Sequence, residues 1–384
     1  MAKGSKLAVF ARIVNRPVPR VVRMMRVATE LGYNCLFLGA RREEGTAIED
    51  EWQGWRVRRL GREFPLLNGT RLLVYVRCVI RYNWDLFWTL RRERPALVHA
   101  SDVETMPASV LYKWIYGTRL ICNVHDNISQ RYDLPAFTAA ILNVAEGLFI
   151  LGSSITLVPE NFRRDALPAW CRRKITVIRN TPVDPGFAPP SFPTDGKVRI
   201  LMPSWLDWGR GLRALLELSD KNPRIDLKIA GEGSDEIIAA VKRHRNVTFL
   251  GYIENSLVLE ETKHCHFVAA LYDPSRVINR FAASNKVAEA LAVGRPVLVN
   301  CEMEVAKGLK GNPCMIAPPY SQSSEIGERL IALVDDCDAY SEACRRARAV
   351  YDEFYGWDHV REQIRLAILG DRESIDAVGL KSPK

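Results

Sequence analysis

The sequence lacks the closely spaced cysteines and histidines that metal sites and redox motifs require. Its nine cysteines are scattered, and none forms a Cys-x-x-Cys pair. Their odd number and largely apolar surroundings predict reduced, buried thiols rather than a disulfide framework. His264 and His266 form one close histidine pair, which supplies too few ligands for a zinc site, so no metal is expected.

Long hydrophobic runs are also scarce. The longest apolar-rich stretch, Leu72 to Leu90, is interrupted by Arg77, Arg81 and Asp85, whereas a membrane-spanning helix needs about 20 largely apolar residues. The early apolar run from Leu7 to Ala11 is too short for the apolar segment of a signal peptide. We therefore expect a cytoplasmic protein.

The net charge of +9 is concentrated at the N-terminal end of the chain. The first 100 residues hold 19 basic and 9 acidic side chains, a net charge of +10. Such an excess suits nucleic acid or an anionic membrane surface, or it is a solvated face with no partner. No helix-turn-helix, RNA-recognition signature or zinc spacing is present, so nucleic acid is not expected.

Aromatic residues alternate with arginine in this basic region, which is typical of segments that meet lipid headgroups. The aromatic residues are Trp52, Trp55, Tyr82, Trp84, Phe87 and Trp88. We therefore expect the N-terminal domain to bind an anionic membrane surface, with the protein peripheral at the inner face of the membrane.

Strand and helix patterns alternate through the chain with short Gly/Pro punctuation, which predicts parallel sheets built from βαβ units. A Pro-rich stretch over 180–193 has no such pattern and reads as a linker. The 384 residues also exceed what one core usually serves. The prediction is an α/β protein with two Rossmann-like domains facing across a cleft.

The predicted boundaries follow from that linker. Residues 1–183 form an N-terminal domain and residues 184–354 form a C-terminal domain. Residues 355–370 form a helix that returns towards the N-terminal domain, and residues 371–384 form a disordered tail.

One helix start carries the most chemistry. Ser284 or Asn285 is expected to cap a helix whose free N–H groups can hold a phosphate. Lys286 adds a full positive charge in the first turn, and Glu289 follows one turn later, where a carboxylate can accept both ribose hydroxyls. The alternative is an amphipathic helix with an exposed Lys286–Glu289 pair and no ligand.

This segment, from Tyr272 to Leu298, resembles the donor-binding signature of glycosyltransferases with the GT-B fold, chiefly those of family 4 (glycosyl transferases group 1). Further family elements follow in the expected order, and the likeness covers roughly residues 95 to 370. They are the segments 124–126, 177–184, 208–212, 229–233 and 247–251.

The resemblance implies a role for each matching residue at the nucleotide. Glu289 would bind the ribose, and Lys286 and Arg210 would neutralise the diphosphate leaving group. The remaining expected nucleotide-site residues are Gly231 and Gly233, where the backbone would approach the donor, Ser284 and Asn285, which would contact phosphate, and Tyr272.

In the N-terminal domain, the resemblance implies that His125 touches the donor sugar or the reacting centre, with Asp126 beside it. The expected catalytic residues are His125, Asp126, Arg210 and Lys286. The donor is a nucleotide-sugar, with a UDP-sugar favoured over a GDP-sugar, and no metal is expected.

The sequence also departs from the family pattern. Many relatives carry a glutamate at the position of Phe281, and here Asp273 or Asn279 would have to supply that donor-sugar contact. The first loop, Arg12 to Arg20, is basic and Pro-rich instead of Gly-rich. This difference suggests an acceptor that carries negative charge.

The implied reaction retains the anomeric configuration, with fixed cations stabilising the departing diphosphate. The acceptor would be a glycan or lipid-linked saccharide in cell-surface polysaccharide synthesis. Inversion is the alternative, and it needs a base, for which Asp126, His125 or Asp102 could serve. A nucleotide-sugar epimerase of the same fold and a basic nucleic-acid- or membrane-binding protein without activity are the remaining alternatives.

Overall fold

The structure is a computed structural model that describes residues 6–42, 45–61, 64, 72–131, 135–193 and 195–378. Within these ranges the chain forms two compact units. The first contains the residues up to Arg179 and those from Arg361 onward, and the second runs from Asn180 to Val360. None of the helices in the described ranges is long and apolar enough to cross a membrane.

The first unit is built on an eight-stranded sheet with the order β3-β4-β2-β1-β5-β6-β7-β8. Its strands are parallel except for the pairing of β3 with β4. The strands are β1 (Leu7–Ala11), β2 (Asn34–Ala40), β3 (Glu49–Trp52), β4 (Trp55–Leu60), β5 (Leu97–Ser101), β6 (Arg119–Asn123), β7 (Ile155–Val158) and β8 (Ile175–Val177). β5 is buried along its whole length, as expected for a central parallel strand covered on both faces.

Helices connect these strands. They are α1 (Pro19–Glu30), α2 (Leu72–Glu93), α3 (Met106–Tyr116), α4 (Ile128–Arg131), α5 (Ala136–Gly152) and α6 (Asn161–Asp165). The crossovers through α2, α3 and α5 all run towards β8, so right-handed connections place these three helices on one face of the sheet. Contacts of α3 with both α2 and α5 agree with that placement.

The second unit has a six-stranded parallel sheet with the order β11-β10-β9-β12-β13-β14. The strands are β9 (Val198–Pro203), β10 (Ile225–Ala230), β11 (Val247–Gly251), β12 (Phe267–Ala269), β13 (Val297–Leu298) and β14 (Met315–Ile316). Its helices are α7 (Leu212–Lys221), α8 (Asp235–Val241), α9 (Asn255–Lys263), α10 (Val277–Arg280), α11 (Asn285–Val293), α12 (Glu304–Gly308), α13 (Gly327–Asp335) and α14 (Cys337–Val350).

Each sheet reverses its strand order at one place. In the first unit the reversal lies between β1 and β5, and in the second between β9 and β12. The carboxyl ends of strands beside such a reversal leave a crevice in which ligands of α/β proteins bind. Both units therefore have the Rossmann type of architecture, and each has one predictable place for a site.

The end of the chain differs from expectation. After α15 (Trp357–Leu369), residues Arg372–Val378 form a further helix, α16, instead of a disordered tail. The side chain of Asp371 accepts hydrogen bonds from the backbone N–H and hydroxyl of Ser374, and Ile375 is buried, so this helix has both a cap and an anchor. Residues 379–384 lie outside the described ranges.

All nine cysteines are free thiols, as predicted. The expectation that they are buried is wrong for Cys301 and Cys337, which are exposed, and Cys78 is only half-buried. Cys301 lies in a turn after β13, and Cys337 is the first residue of α14. Neither position faces a core, so sequence surroundings alone misled the prediction.

Candidate functional site

The helix start singled out by the sequence is α11, and it is buried. Every residue from Lys286 to Val293 is shielded from solvent. The ammonium of Lys286 lies 3.0 Å from the hydroxyl of Ser204 and 5.0 Å from the ring centre of Tyr272. Burial lowers the pKa of Lys286. The alternative of an exposed Lys286–Glu289 pair is therefore wrong, because a buried cation demands a partner or a ligand.

Tyr272 follows β12 and connects the cations of the site. Its hydroxyl donates to the Ser284 hydroxyl at 3.2 Å, and its backbone N–H donates to the Asn300 side chain. Burial acts to raise the pKa of Tyr272, but Lys286 and Arg210 outweigh that effect and lower it. The ring therefore lies in a strongly positive environment, as an anion-binding site requires.

The expected cap at the start of α11 takes a different form. Ser284 occupies the capping position with an extended backbone, but its side chain does not accept a hydrogen bond from the helix N–H groups. Its hydroxyl instead pairs with Tyr272. Because the Ser284 hydroxyl is bonded to Tyr272, it does not cap the first N–H groups of the helix, including that of Asn285.

Glu289 lies one turn into α11 and is also buried. One of its carboxylate oxygens accepts a hydrogen bond from the side-chain amide of Asn255, at the first position of α9, over 2.8 Å. The amide fixes one oxygen of the carboxylate. The geometry thus suits a carboxylate that is oriented before it receives a ligand.

Arg210 comes from the loop between β9 and α7. Its guanidinium carbon lies 5.9 Å from the centre of the Tyr272 ring, so it adds a second cation beside Lys286. The loop is fixed because the Asp207 carboxylate accepts from the N–H of Gly209. Gly211, with φ of 76°, packs so closely on Leu271 that a Cβ there would lie 2.3 Å from the leucine Cβ.

The two glycines after β10 allow close packing of the chain against itself. A Cβ on Gly231 would lie 1.7 Å from the carbonyl oxygen of Ser204, and a Cβ on Gly233 would lie 2.7 Å from the Cβ of Leu206. The two segments are joined by backbone hydrogen bonds from Ser204 to Ala230 and from Leu206 to Glu232. Any approach of these glycines to a ligand stays a prediction.

Phe281, which replaces the family glutamate, is half-buried. Of its expected substitutes, Asn279 donates through its amide to the carbonyl of Asp273 at 2.8 Å and, at 3.4 Å, to that of Gly209. Asp273 accepts from the N–H of Ser275 through its side chain. Asn279 therefore joins the Gly209 loop to the segment after β12, and a contact with sugar stays a prediction.

The first unit places a second cluster at its own strand-order reversal. His125 follows β6, and its ring nitrogens lie 3.2–3.3 Å from the guanidinium of Arg12, which follows β1. The amide of Asn123 lies 3.1 Å from Nε2 of His125. Burial and the charge of Arg12 hold the pKa of His125 well below its ordinary value. The imidazole is therefore neutral at pH 7.

Asp102, directly after β5, anchors this cluster. It has φ of 64° and ψ of 160°, a conformation that is costly for a residue with a side chain. Its carboxylate accepts from the backbone N–H of His125 and pairs with Arg12 and Arg131. Burial acts to raise the pKa of Asp102, but the two arginines outweigh it and lower the pKa. A carboxylate held in this way is a weak base.

Two further residues of the first unit, Asp126 and Arg20, make contacts that the sequence did not predict. Asp126 accepts a hydrogen bond from the guanidinium of Arg163 at 2.7 Å. Arg20, expected in a basic loop that meets an acceptor, is buried and donates to the Asn123 side chain and the Ile178 carbonyl. Arg20 therefore fixes the end of β6, and of this loop's three arginines Arg16 is the exposed one.

Within the described ranges, no group of three or more His, Cys, Asp or Glu side chains is arranged to hold a metal ion. His266, one of the two histidines that came close to a metal-binding spacing, accepts from the backbone N–H of Arg199 and stacks on Phe192. Its role is structural.

Comparison with known families identifies the second unit. Residues 210–336 match the family model described as glycosyl transferases group 1. This stretch is a group 1 glycosyltransferase domain. It contains Arg210, Gly231, Tyr272, Lys286 and Glu289, the residues that form or adjoin the buried cationic site. The chain as a whole resembles the GT-B glycosyltransferases, and its architecture is that of a glycosyl-transfer enzyme.

Solved structures support the same fold over the full chain. Sucrose-phosphate synthase from Thermosynechococcus elongatus superposes with a TM-score of 0.72 at 12% identity, covering 94% of this chain and 97% of that one. HepE from Anabaena, in complex with UDP-glucose, gives a TM-score of 0.67 at 13% identity, with 97% and 100% covered.

A third match is the lipopolysaccharide outer core galactosyltransferase WaaB, with a TM-score of 0.58 at 14% identity and coverage of 95% and 99%. No curated protein matches the chain in sequence. At these identities the structures establish the fold.

The buried site of the second unit holds three partners that the sequence did not indicate. Ser204 and Asn255 bond Lys286 and Glu289, and Asn300 fixes the backbone of Tyr272. All three are polar residues at strand or helix ends, and Ser204 directly follows β9 beside the strand-order reversal. That position was the one feature of the sequence that could have indicated Ser204, and many other polar residues also follow a strand.

Proposed function

We propose that this protein transfers a sugar from a nucleotide-sugar, preferably a UDP-sugar, to a glycan or lipid-linked saccharide in cell-surface polysaccharide synthesis. The observation that carries the proposal is the group formed by the buried Lys286 and Tyr272 and the half-buried Arg210, beside the oriented carboxylate of Glu289. Two neighbouring cations suit the charge that develops on a departing diphosphate, and a carboxylate suits a ribose.

The proposed roles are as follows. Lys286 and Arg210 stabilise the diphosphate as the C1–O bond breaks, and this stabilisation is the main source of rate. Glu289 binds the ribose hydroxyls, while Ser284, Asn285 and the backbone at Gly231 and Gly233 add phosphate contacts. His125 takes part in sugar transfer as a neutral imidazole. No metal is needed, because fixed cations carry the charge.

We propose retention of configuration in a family 4 type of reaction. Two observations support this proposal over inversion. Asp102, one candidate base, is paired with two arginines that lower its pKa, and Asp126 is paired with Arg163.

HepE, with the same fold, is solved with UDP-glucose, which favours a UDP-sugar over the GDP-sugar alternative. The acceptor lies at the inner face of a membrane, which the protein binds peripherally.

Nucleotide binding tests the donor. Thermal-shift titrations with UDP and with GDP compare the wild type with Glu289→Ala and Lys286→Ala, and with Lys307→Ala, an exposed lysine elsewhere in the same unit, as the control. A ligand that binds only the folded state raises the melting temperature. We expect UDP to stabilise the wild type and the control, and both site variants to lose that shift. A wild type that responds to neither nucleotide contradicts the proposal.

The reaction itself needs a second measurement. With UDP-sugars and membrane-extracted acceptor, NMR of the product reports the anomeric configuration, and retention is expected. Consumption of the donor without any acceptor, giving an epimerised nucleotide-sugar, would identify an epimerase instead. A product with inverted configuration would contradict the retaining mechanism, and Asp126 or His125 would then be the candidate base.

A further inference from the structure

Helix α5 in the first unit has an unusual composition for a helix at a protein surface. Its 17 residues contain one charged side chain, Glu146, which is buried and accepts from the backbone N–H of Ile128. Phe137, Ile141, Val144 and Leu148 recur at helical spacing and are each more than half exposed. A solvated helix normally turns polar residues outward. α5 turns an apolar stripe outward.

The neighbouring helix α3 continues this surface. Leu111, Trp114 and Ile115 are exposed on its last turns, with Trp114 exposed by 70%. The Trp114 ring is 3.4 Å from the position of a Cβ on Gly152, the last residue of α5, so the two apolar stripes meet.

Helix α2 extends the surface on the other side of α3. Ile80, Trp84 and Trp88 project at four-residue spacing, and Trp84 is exposed by 65%. A series of ring contacts joins the two helices, from Trp84 through Trp88 and Phe87 to Tyr112 and Tyr116. The outward sides of α2, α3 and α5 therefore form one continuous apolar and aromatic surface, called here the three-helix face.

Positive charge accompanies the three-helix face. Arg77, Arg81, Arg91 and Arg92 of α2 are exposed, and the Arg91 guanidinium lies 5.0 Å from the Trp88 ring centre. Near the end of α3, partial burial lowers the pKa of Lys113, and the charges of the nearby Lys174 and Arg119 lower it further.

Acidic side chains are scarce on the same helices. α3 has none, the one on α5 is buried, and on α2 Glu93 pairs with Arg58 and with Arg92. Asp85, among Arg77, Arg81 and Trp84, is the remaining one. The charge of this surface is thus largely unbalanced by its own residues.

We infer that the three-helix face docks on an anionic phospholipid bilayer, with its apolar side chains in the interface and its arginines at the lipid phosphates. Exposed aliphatic side chains, Trp and Tyr beside arginine, and few carboxylates are the composition of helices that lie in a membrane interface. A second copy of the chain fits less well, because pairing this face with itself would oppose arginine-rich surfaces without counter-charge.

This inference deepens the membrane part of the proposed function and does not depend on the transfer chemistry. It also extends the sequence expectation, which rested on the basic residues of the first 100 positions and on the aromatic residues among them, including Trp84 and Trp88 of α2. Further apolar contributions come from α3 and α5, beyond residue 100.

Vesicle binding by the full chain tests the inference. Co-sedimentation compares vesicles of equimolar phosphatidylglycerol and phosphatidylcholine with vesicles of phosphatidylcholine alone. We expect binding to the anionic vesicles that weakens in about 1 M salt, where the screening length falls to about 3 Å. The variant Phe137→Ser/Ile141→Ser should bind about tenfold or more weakly, because each change removes apolar area from the interface.

Matched variants separate the apolar contribution to vesicle binding from the electrostatic contribution. Ile48→Ser alters an isoleucine of the same unit with similar exposure, 59% against 52% for Ile141, but off the three-helix face, and should bind as the wild type does. Arg77→Ser/Arg81→Ser should weaken binding to anionic vesicles and reduce its salt dependence. Because all these side chains are exposed, the fold should persist, and an unchanged UDP-induced thermal shift without vesicles checks it.

Three results would overturn the inference. They are no binding to anionic vesicles at low salt, equal binding by Phe137→Ser/Ile141→Ser, and a lipid-free dimer that this variant dissociates, which would assign the face to a second copy. Failure of the wild type to respond to UDP, with vesicle binding as expected, would instead contradict the proposed donor and leave the docking surface in place.

Discussion

The amide of Asn255 holds the carboxylate of Glu289, with 2.8 Å between the amide nitrogen and one carboxylate oxygen. The two residues belong to different helices, α9 and α11, which pack on each other. The carboxylate is therefore oriented by the fold before a nucleotide arrives, which reduces the cost of binding. Asn255 acts on the proposed ribose contact through Glu289 and is a positioning residue.

We therefore expect Asn255→Ala to weaken UDP binding by about tenfold, roughly the value of one hydrogen bond to a charged group. Asn255→Asp should weaken it more, because a second carboxylate repels the first. Isothermal titration with UDP measures both, and Asn246→Ala, in the same unit but bonded to Ser219, is the control. Equal affinity of Asn255→Ala and the wild type would remove the positioning role.

The buried ammonium of Lys286 should lower the stability of the ligand-free protein while it contributes to UDP binding. Lys286→Met keeps an unbranched side chain of nearly the same length and removes the ammonium group, whose pKa is lowered by burial. We expect the ligand-free variant to be more stable by about 1 kcal/mol, and its UDP-induced shift to vanish. Thermal melts with and without UDP measure the two effects.

The pH dependence of this difference has a definite sign. The pKa of Lys286 is lower in the folded than in the unfolded chain, so the folded state bears its full cost at low pH. The cost disappears as the pH rises towards the unfolded pKa of about 10.4. The stability advantage of Lys286→Met should therefore shrink between pH 7 and pH 10. An advantage that grows with pH would contradict this assignment.

Gly231 should be the least replaceable glycine of the second unit. A Cβ there would meet the Ser204 carbonyl oxygen at 1.7 Å with φ at 147°, so Gly231→Ala must displace the β9 and β10 loops. We expect a loss of about 3 kcal/mol or more. Gly311 has φ of 81° but nothing within 4 Å, so Gly311→Ala should cost about 1 kcal/mol. Urea unfolding compares them, and equal losses would refute the packing argument.

His99 should make the first unit sensitive to acid. Burial, with a contribution from Arg20, lowers its pKa to about 3. The unfolded chain takes up this proton below about pH 6.5, and the folded chain does so only near the folded pKa. Stability should therefore fall as the pH drops, by about 2 kcal/mol at pH 5 from this residue alone.

The variant His99→Gln should remove that share of the pH dependence, whereas His264→Gln, which changes an exposed histidine, should not. The pKa of His125 is lowered in the same direction, so some acid sensitivity should persist in His99→Gln. Urea unfolding at several pH values measures the slopes. Parallel curves for His99→Gln and the wild type would contradict the prediction.

Much of the architecture was readable because it rests on local patterns. Alternating apolar runs and Gly/Pro punctuation predicted parallel βαβ units, and both sheets are built from such units. Helix α5 was not predicted, because it has no polar outer face and therefore no amphipathic pattern to read. Helix α16 was taken as disordered, since its cap and its buried Ile375 gain meaning only from packing.

The sequence by itself determined which residue types stand at the start of α11, because the order Ser284-Asn285-Lys286 and then Glu289 is fixed by spacing along one helix. Whether Lys286 and Glu289 were exposed could not be read, since both alternatives share the same spacing. The tertiary structure decided it by burying α11 and bringing Ser204, Tyr272 and Asn255 to these side chains from other strands and helices. Such contacts depend on the order of strands in the sheet, which distant parts of the chain set together.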